Sequence, residues 1–469
     1  VRHALRRGTL AAASIGVLVA LLAACSLTSP GDAPSEEGDA GAGTGAADWG
    51  PLPEREVAEG VTMRLADGEV PPTNRWYSGL VFGEEPTAVY PYPLAFRATG
   101  STFSLELPDV SVTPTTIAAS AGVGLAISTE ATSFVTTRHD PVSVTLEYRD
   151  DIGAVGEVTV AEGWPVVAFT AKRDTSLSSP APLVAEGAGA WSVTANGRTY
   201  GVLATDADVS GSTLRIRAGD SAQWFAVPTD STVGAWAEAL GEPIAGVETS
   251  FTLEDETVTT RMTYADEGST ILVPSPGHPA DASCDLGTFE TAYGTAAACA
   301  AAELSQSVPR LTATASFDLG GADADARAEI VTALREDLAA TPALPSDTYG
   351  GGKALARIGS LGLLAQSLGE ADLAQEAADR LWTEMAEWMD PAGCDEREAR
   401  CFVYDPTLHT IVGLIPSFGS EEANDHHFHY GYFLSAAAAL ASLDPDRVET
   451  MPPVISALAA DIAAGDDEV

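Results

Sequence analysis

From about Trp49 to Asp318, apolar and polar residues alternate at period two between turn signals, the pattern of short strands with one buried face. Val142, Val144, Leu146 and Tyr148 form one such row. Leu214 and Ile216, then Val258, Met262 and Tyr264, and then Leu311, Ala313, Ala315 and Phe317 continue it. Rows spread over such a length exceed what one small sandwich needs, so the pattern predicts a large two-sheet β-sandwich. After Asp318 the period becomes helical. Ala324 to Ala339 carries Ile330, Leu334 and Leu338 on one face, and the stretch from Pro342 to Pro345 ends that helix. Leu355, Ile358, Leu361, Leu364 and Leu368 make the next stripe, closed by Gly369, and Ala374, Ala378, Leu381, Met385 and Trp388 make another behind it. Two such stripes in succession predict a helix hairpin. Phe428 to Leu443 and Pro453 to Ala464 read as two further helices, and no short internal repeat is evident.

The first residues interrupt this picture. Arg2, Arg6 and Arg7 precede an apolar run from Leu10 to Ala24, too short to span a bilayer comfortably and of the right length for a signal peptide. Leu22-Ala23-Ala24-Cys25 follows the pattern of a bacterial lipobox, which would make Cys25 the lipidated first residue of a lipoprotein; ordinary secretion is the rival reading. Ser26 to Asp48, rich in Gly, Ala, Ser, Pro and acids, reads as a flexible tether. Either route takes the chain out of the cytoplasm. The remaining cysteines, Cys284, Cys299, Cys394 and Cys401, are then even in number in an oxidising compartment, and proximity favours disulfides 284–299 and 394–401. A structural zinc site is the alternative, but the spacings are not paired CxxC units.

Charge narrows the partners. With 67 acidic against 24 basic side chains the net charge is −43. Cleavage before Cys25 would leave 21 basic residues against the same 67 acids, a net charge of −46. Such a surface repels nucleic acid and anionic lipid headgroups and suits a neutral partner, with membrane contact only through the lipid anchor. Lys172 and Lys353 are the only lysines, so a lysine where arginine would serve equally well draws attention.

The densest chemistry lies in Asn424-Asp425-His426-His427-Phe428-His429-Tyr430-Gly431-Tyr432, which holds an acid, three of the seven histidines and three aromatics. A proton donor, hydroxyl-binding groups and flat apolar faces are what a sugar-cleaving site requires. The plainer reading makes Asp425 an N-cap of the helix that follows. The two pull in opposite directions: a helix N-terminus favours an ionised carboxylate, whereas a general acid must hold its proton near neutral pH and so needs desolvation or a second carboxylate nearby. His429 lies one helical turn after Asp425, so both can face one cleft. The three histidines lack the i, i+4 pair with further carboxylates of a helical metal site, so no metal or other cofactor is expected. Tyr349 and Lys353 also stand at i, i+4, at a helix start, where Lys353 suits sugar hydroxyls better than direct pairing with Asp425. Pro72 to Tyr77 and Tyr90 to Pro93 lie in the β region and read as aromatics packed over turns. No usable GxSxG, Walker A or dinucleotide fingerprint is present.

Together these segments resemble glycoside hydrolase family 81, the endo-β-1,3-glucanases. The resemblance rests on Pro72-Thr73-Asn74-Arg75-Trp76-Tyr77, Val89-Tyr90-Pro91-Tyr92-Pro93-Leu94, Gly287-Thr288-Phe289-Glu290-Thr291, Tyr349 to Arg357 and Asn424 to Tyr432, in family order. The resemblance implies a multidomain β + α chain, with a large N-terminal β-sandwich over 49–318, a small α/β connector over 319–345 and part of an (α/α)6 barrel over 346–469, after the signal peptide over 1–24 and linker over 25–48 read above. It also implies inverting, cofactor-free endo-hydrolysis of β-1,3-glucan, with Asp425 as general acid and Tyr349, Lys353 and His429 on the sugar. Two departures accompany it. Tyr404-Asp405-Pro406-Thr407-Leu408-His409 stands where a Trp-Gly-containing stretch is expected. The Glu-rich motif that carries the general base lies well downstream of the acid, and Glu449, Asp461, Asp466, Asp467 and Glu468 match no part of it. The resemblance therefore implies a C-terminally truncated chain that is inactive as written. A non-catalytic surface lipoprotein that binds β-glucan is the alternative. A helical-barrel polysaccharide lyase is disfavoured by charge, because lyase substrates are polyanions.

Overall fold

The computed structural model describes residues 52–463 except 58–59, 120–123, 188, 255, 266–267, 276–281 and 312–316. The described residues belong to one compact unit, Ala47–Val469. The signal segment, Cys25, the tether, Ala313, Ala315 and the acids from Asp466 to Glu468 lie outside them. Among the described residues no helix is long and apolar enough to cross a membrane.

The alternating rows become two antiparallel sheets. Six strands run in the order Ala95–Ala98, Thr102–Glu106, Leu125–Ser128, Thr175–Ser178, Thr213–Ile216, Asp208–Ser210. Eight run in the order Val184–Gly187, Ala190–Ala195, Arg198–Leu203, Ser221–Ala226, Trp164–Ala171, Gly153–Ala161, Ser143–Asp150, Ser133–His139. Phe103, Ile127, Leu177 and Leu214 of the first sheet meet Leu146, Tyr148, Phe169 and Trp224 of the second in one buried core. Strand Trp164–Ala171 departs from simple alternation because both its faces are covered. Val167 and Phe169 turn into the sandwich, while Val166 and Ala168 turn to a second core with Trp236, Ile271, Val273 and Phe289. That second core is roofed by helix Val233–Ala239 and by small sheets within residues 248–309.

Of the last β row, Leu311 and Phe317 lie among the described residues. Strand Glu303–Pro309 pairs with Thr257–Thr263, the Arg310 N–H beyond it donates to the Glu256 carbonyl at 2.9 Å, and Leu311 is 91% exposed.

The helical stripes fold as their period dictates. Helix Thr348–Leu368 packs between Ala371–Trp388 and His426–Leu443, and Leu355, Ile358, Leu381, Met385, Trp388 and Phe433 share its core. Gly369 closes the first of these in the left-handed region, φ +80°, donating its N–H to the carbonyls of Ala365 and Gln366. The segment expected as a connector is helical over Ala324–Ala340 and sends Leu334 and Leu338 into this same core. Among the described residues the helices do not close into a barrel. Disulfides join Cys284 to Cys299 and Cys394 to Cys401.

Candidate active site

Helix His426–Leu443 begins at the dense motif, and Asp425 stands at its N-cap position with an unusual backbone. Its φ is +58°, in the left-handed region, and its side chain makes no capping hydrogen bond. The first turn is held instead by main chain, with the Asp425 carbonyl accepting from the N–H groups of Phe428 and His429. A left-handed non-glycine residue costs conformational energy that surrounding structure must impose. Ala423 is left-handed too, φ +55°, and the Asn424 amide donates to the Phe418 carbonyl at 2.7 Å, fixing the reversal that presents half-buried Asp425.

The three histidines diverge. His426 is fully buried, with Nδ1 2.7 Å from Asp461 Oδ2 and Nε2 2.9 Å from the Ser420 carbonyl. Burial alone would lower its pKa, but the Asp461 charge and hydrogen bond, then the Ser420 carbonyl, outweigh it and hold the imidazole above its ordinary value. The other Asp461 oxygen accepts from the Thr410 hydroxyl and, at 2.8 Å, from the Ile411 N–H. This pair is therefore an internal strut, joining helix Pro452–Ala463 to the hairpin Phe402–Asp405/Thr410–Gly413 and to the start of the motif helix.

His427 is exposed and reaches back to the β region, its Nδ1 2.5 Å from Asn74 Nδ2. The Asn74 N–H also donates to the Ala423 carbonyl at 3.1 Å. Partial burial and the nearby Arg75 charge lower the His427 pKa. The Asn74-Arg75 pair thus belongs beside the site, although Trp76 and Tyr77 pack toward the sandwich core, the role read from sequence. The signal was present in the motif: two polar side chains precede the aromatics, and packing over a turn does not use them.

His429 is buried, with Nδ1 2.8 Å from the Thr348 hydroxyl. Its Nε2 is shut from solvent with no hydrogen-bond partner among the described residues. Burial, then the His426 charge, lowers its pKa against the opposing pull of Asp425 and Asp347, so the ring favours its neutral form. Helix Thr348–Leu368 brings Thr348 and Tyr349 to it. Asp347 caps that helix, accepting from the Gly350 N–H at 2.7 Å and from the Ser417 hydroxyl at 3.0 Å. Glycines make the approach close. A Cβ on Gly352 would stand 2.9 Å from the Phe433 ring and 3.2 Å from the His429 carbonyl, and one on Gly351 would stand 2.9 Å from Trp388.

Tyr349 is the centre of an aromatic group, with ring centroids 4.7 Å from Phe418, 5.5 Å from His429 and 6.0 Å from Tyr432. Lys353, one turn on and exposed, lies 3.3 Å from the Tyr349 hydroxyl, which holds its ammonium above the usual range. Phe418 is 64% exposed, and sequence reading gave no sign of it because it arrives on an irregular loop. Within the motif, Tyr430 is a core residue. Its hydroxyl donates to the Ile411 carbonyl, its ring packs on Phe402, and Phe428 is 65% exposed. The departing stretch from Tyr404 is a tight hairpin turn. Asp405 Oδ1 accepts from the N–H groups of Thr407 and Leu408, and Oδ2 accepts from that of Val57.

Residues 321–468 match the family described as Glycosyl hydrolase family 81 C-terminal domain. Over these residues the chain belongs to glycoside hydrolase family 81. Among family 81 relatives, a glucan endo-1,3-beta-D-glucosidase of Thermobifida fusca is 42% identical over 100 residues, 21% of this chain and 13% of that protein. A primary septum glucan endo-1,3-beta-D-glucosidase of Schizosaccharomyces pombe is 32% identical over 127 residues, 25% of this chain and 12% of that one. A solved family 81 glycoside hydrolase from Clostridium thermocellum superposes with a TM-score of 0.71 at 20% identity, covering 91% of this chain and 62% of that structure. The family 81 fold therefore extends from the β-sandwich through the helices, whereas the sequence matches to these relatives span only about an eighth of their length.

Proposed function

We propose that this protein is an endo-β-1,3-glucanase that cleaves neutral β-1,3-glucan with inversion, Asp425 protonating the glycosidic oxygen. The observation that carries this reading is Asp425 itself: it occupies a cap position without capping, in a backbone conformation imposed by its surroundings. A purely structural N-cap would use its carboxylate on the helix, and this one is turned to other work. Tyr349 and Phe418 offer faces for pyranose rings, neutral His429 packs beside Tyr349, and Lys353 reaches hydroxyls at the rim. Inversion also needs a second carboxylate about 6.5 to 9.5 Å from the acid, leaving room for the attacking water. Asp347 and Asp461 are committed to capping and to His426, so we assign the base to neither and propose that it lies outside the described residues.

The test is laminarin hydrolysis by the polypeptide of the whole reading frame. Asp425→Asn is expected to lower kcat by about 10²–10⁴, the worth of a general acid, with laminari-oligosaccharide affinity retained. Full activity in that variant sinks the assignment. Glucan binding without hydrolysis by any form favours a β-glucan-binding protein instead. We further propose an extracytoplasmic lipoprotein anchored at Cys25; palmitate labelling that persists in Cys25→Ser refutes the anchor.

A further inference from the structure

Two sequence motifs that the cleft does not use converge elsewhere. The segment Tyr90 to Pro93 and the hairpin Thr288–Thr291/Gly294–Ala297 line a cavity of about 280 Å³ at the junction of the sandwich and the small sheets. A neighbouring cavity of about 240 Å³ shares Tyr92, Glu162 and Ser275 with it. Both stand on a rigid platform. The Glu162-Gly163 turn donates from the Gly163 N–H to the Tyr92 carbonyl at 2.6 Å, its Glu162 carbonyl accepts from the Tyr264 hydroxyl at 2.6 Å, and its Gly163 carbonyl accepts from the Val273 N–H at 2.8 Å.

The chemistry of the lining is selective. Tyr90 is 44% and Tyr293 74% exposed, and the Tyr293 ring lies 6.0 Å from that of Tyr92. The Tyr92 hydroxyl is shut off from solvent beside Thr291. Glu162 and Glu290 supply carboxylates, the latter accepting from the Thr295 hydroxyl at 2.8 Å, and among the described residues no basic side chain lines either cavity. Exposed tyrosine faces beside acceptor oxygens suit the apolar face and the hydroxyl rim of a pyranose, while the carboxylates of the lining disfavour anionic ligands. We propose that this junction is a second carbohydrate site, separate from the Asp425 cleft, where Tyr90, Tyr92 and Tyr293 hold a segment of the neutral glucan with Glu290 and Glu162 as hydroxyl acceptors. The choice of glucan rests on the function proposed above; the site itself rests on the junction. A second foothold would keep an insoluble or multi-chain substrate near the cleft by raising its effective concentration.

The experiment is calorimetric titration of the full-length protein with laminarihexaose. Two classes of site are expected. Tyr90→Ala/Tyr293→Ala, at exposed positions, should remove one class or weaken it tenfold or more, and Tyr90→Phe/Tyr293→Phe should keep it. Tyr349→Ala should remove the other. An isotherm unchanged by Tyr90→Ala/Tyr293→Ala overturns the junction site. Loss of all binding in Tyr349→Ala also overturns it while leaving the cleft reading intact. Binding that survives Tyr349→Ala but vanishes in Tyr90→Ala/Tyr293→Ala supports the junction and sinks the cleft. Absence of hexaose binding altogether, or a junction that takes choline and not hexaose, sinks the sugar assignment.

Discussion

At the scale of single residues, the motif from Asn424 to Tyr432 divides its labour between chemistry and construction. Asp425 is half-buried at the helix start and His429 lies beside Tyr349, while His426 and Tyr430 are built into the interior. Sequence spacing brought Asp425, His429, Tyr349 and Lys353 into view, because i, i+4 relations survive in any helix. It gave no means of separating three adjacent histidines, since their partners Asp461, Asn74 and Thr348 come from segments far apart in the chain. The His426–Asp461 pair yields a prediction. Removing one partner of a buried pair strands the other, so Asp461→Ala should cost about 3–5 kcal/mol. The folded His426 pKa is raised above its ordinary value of 6.5, so the ionised pair contributes fully below that value. Its contribution is lost as pH rises through the folded pKa. The stability gap between wild type and Asp461→Ala, from urea unfolding, should therefore narrow as pH rises above the ordinary histidine value of 6.5, and a gap that stays constant refutes an ionised strut.

At the scale of elements, the helix hairpin was legible because its stripes have period 3.6 and its end carries Gly369. The hairpin Phe402–Asp405/Thr410–Gly413 was not: its strands are four residues each, too short for a period to show, yet they carry the carbonyl that accepts from the Tyr430 hydroxyl and the N–H that donates to Asp461. Helix proximity at the site is set by glycines, and two of them should respond with opposite signs. Gly352→Ala places a methyl against Phe433 and should destabilise by about 1–3 kcal/mol through overpacking. Gly431→Ala meets nothing within 4 Å and sits inside a helix, so it should stabilise by about 0.5–1 kcal/mol. Chemical denaturation midpoints for both variants check this; equal shifts of one sign would show that packing is not what selects glycine at position 352.

At the scale of the whole molecule, the β region and the helical region meet at the candidate active site, where Asn74 bonds to His427 and to the Ala423 carbonyl. The Cys394–Cys401 bond closes a short loop just before strand Phe402–Asp405. On the chain-entropy account its removal in Cys394→Ser/Cys401→Ser should cost about 2–3 kcal/mol, read as a lower thermal midpoint that added reductant no longer shifts at this bond. An unchanged midpoint would mean that the loop is already ordered without the bond. What the sequence by itself determined is the order of things: strands before helices, the helix faces, and the residue types gathered between Asn424 and Tyr432. Those follow from local periodicity and composition, which each segment carries alone. What only the tertiary structure decided is which polar residues meet. The eight-stranded sheet was covered on both faces, the Asn74 motif was carried to the helices, His426 was claimed by Asp461, and the tyrosines of residues 90–92 were set against the 288–297 hairpin. Such meetings depend on long-range burial and on hydrogen-bond partners hundreds of residues away, and no local pattern encodes them.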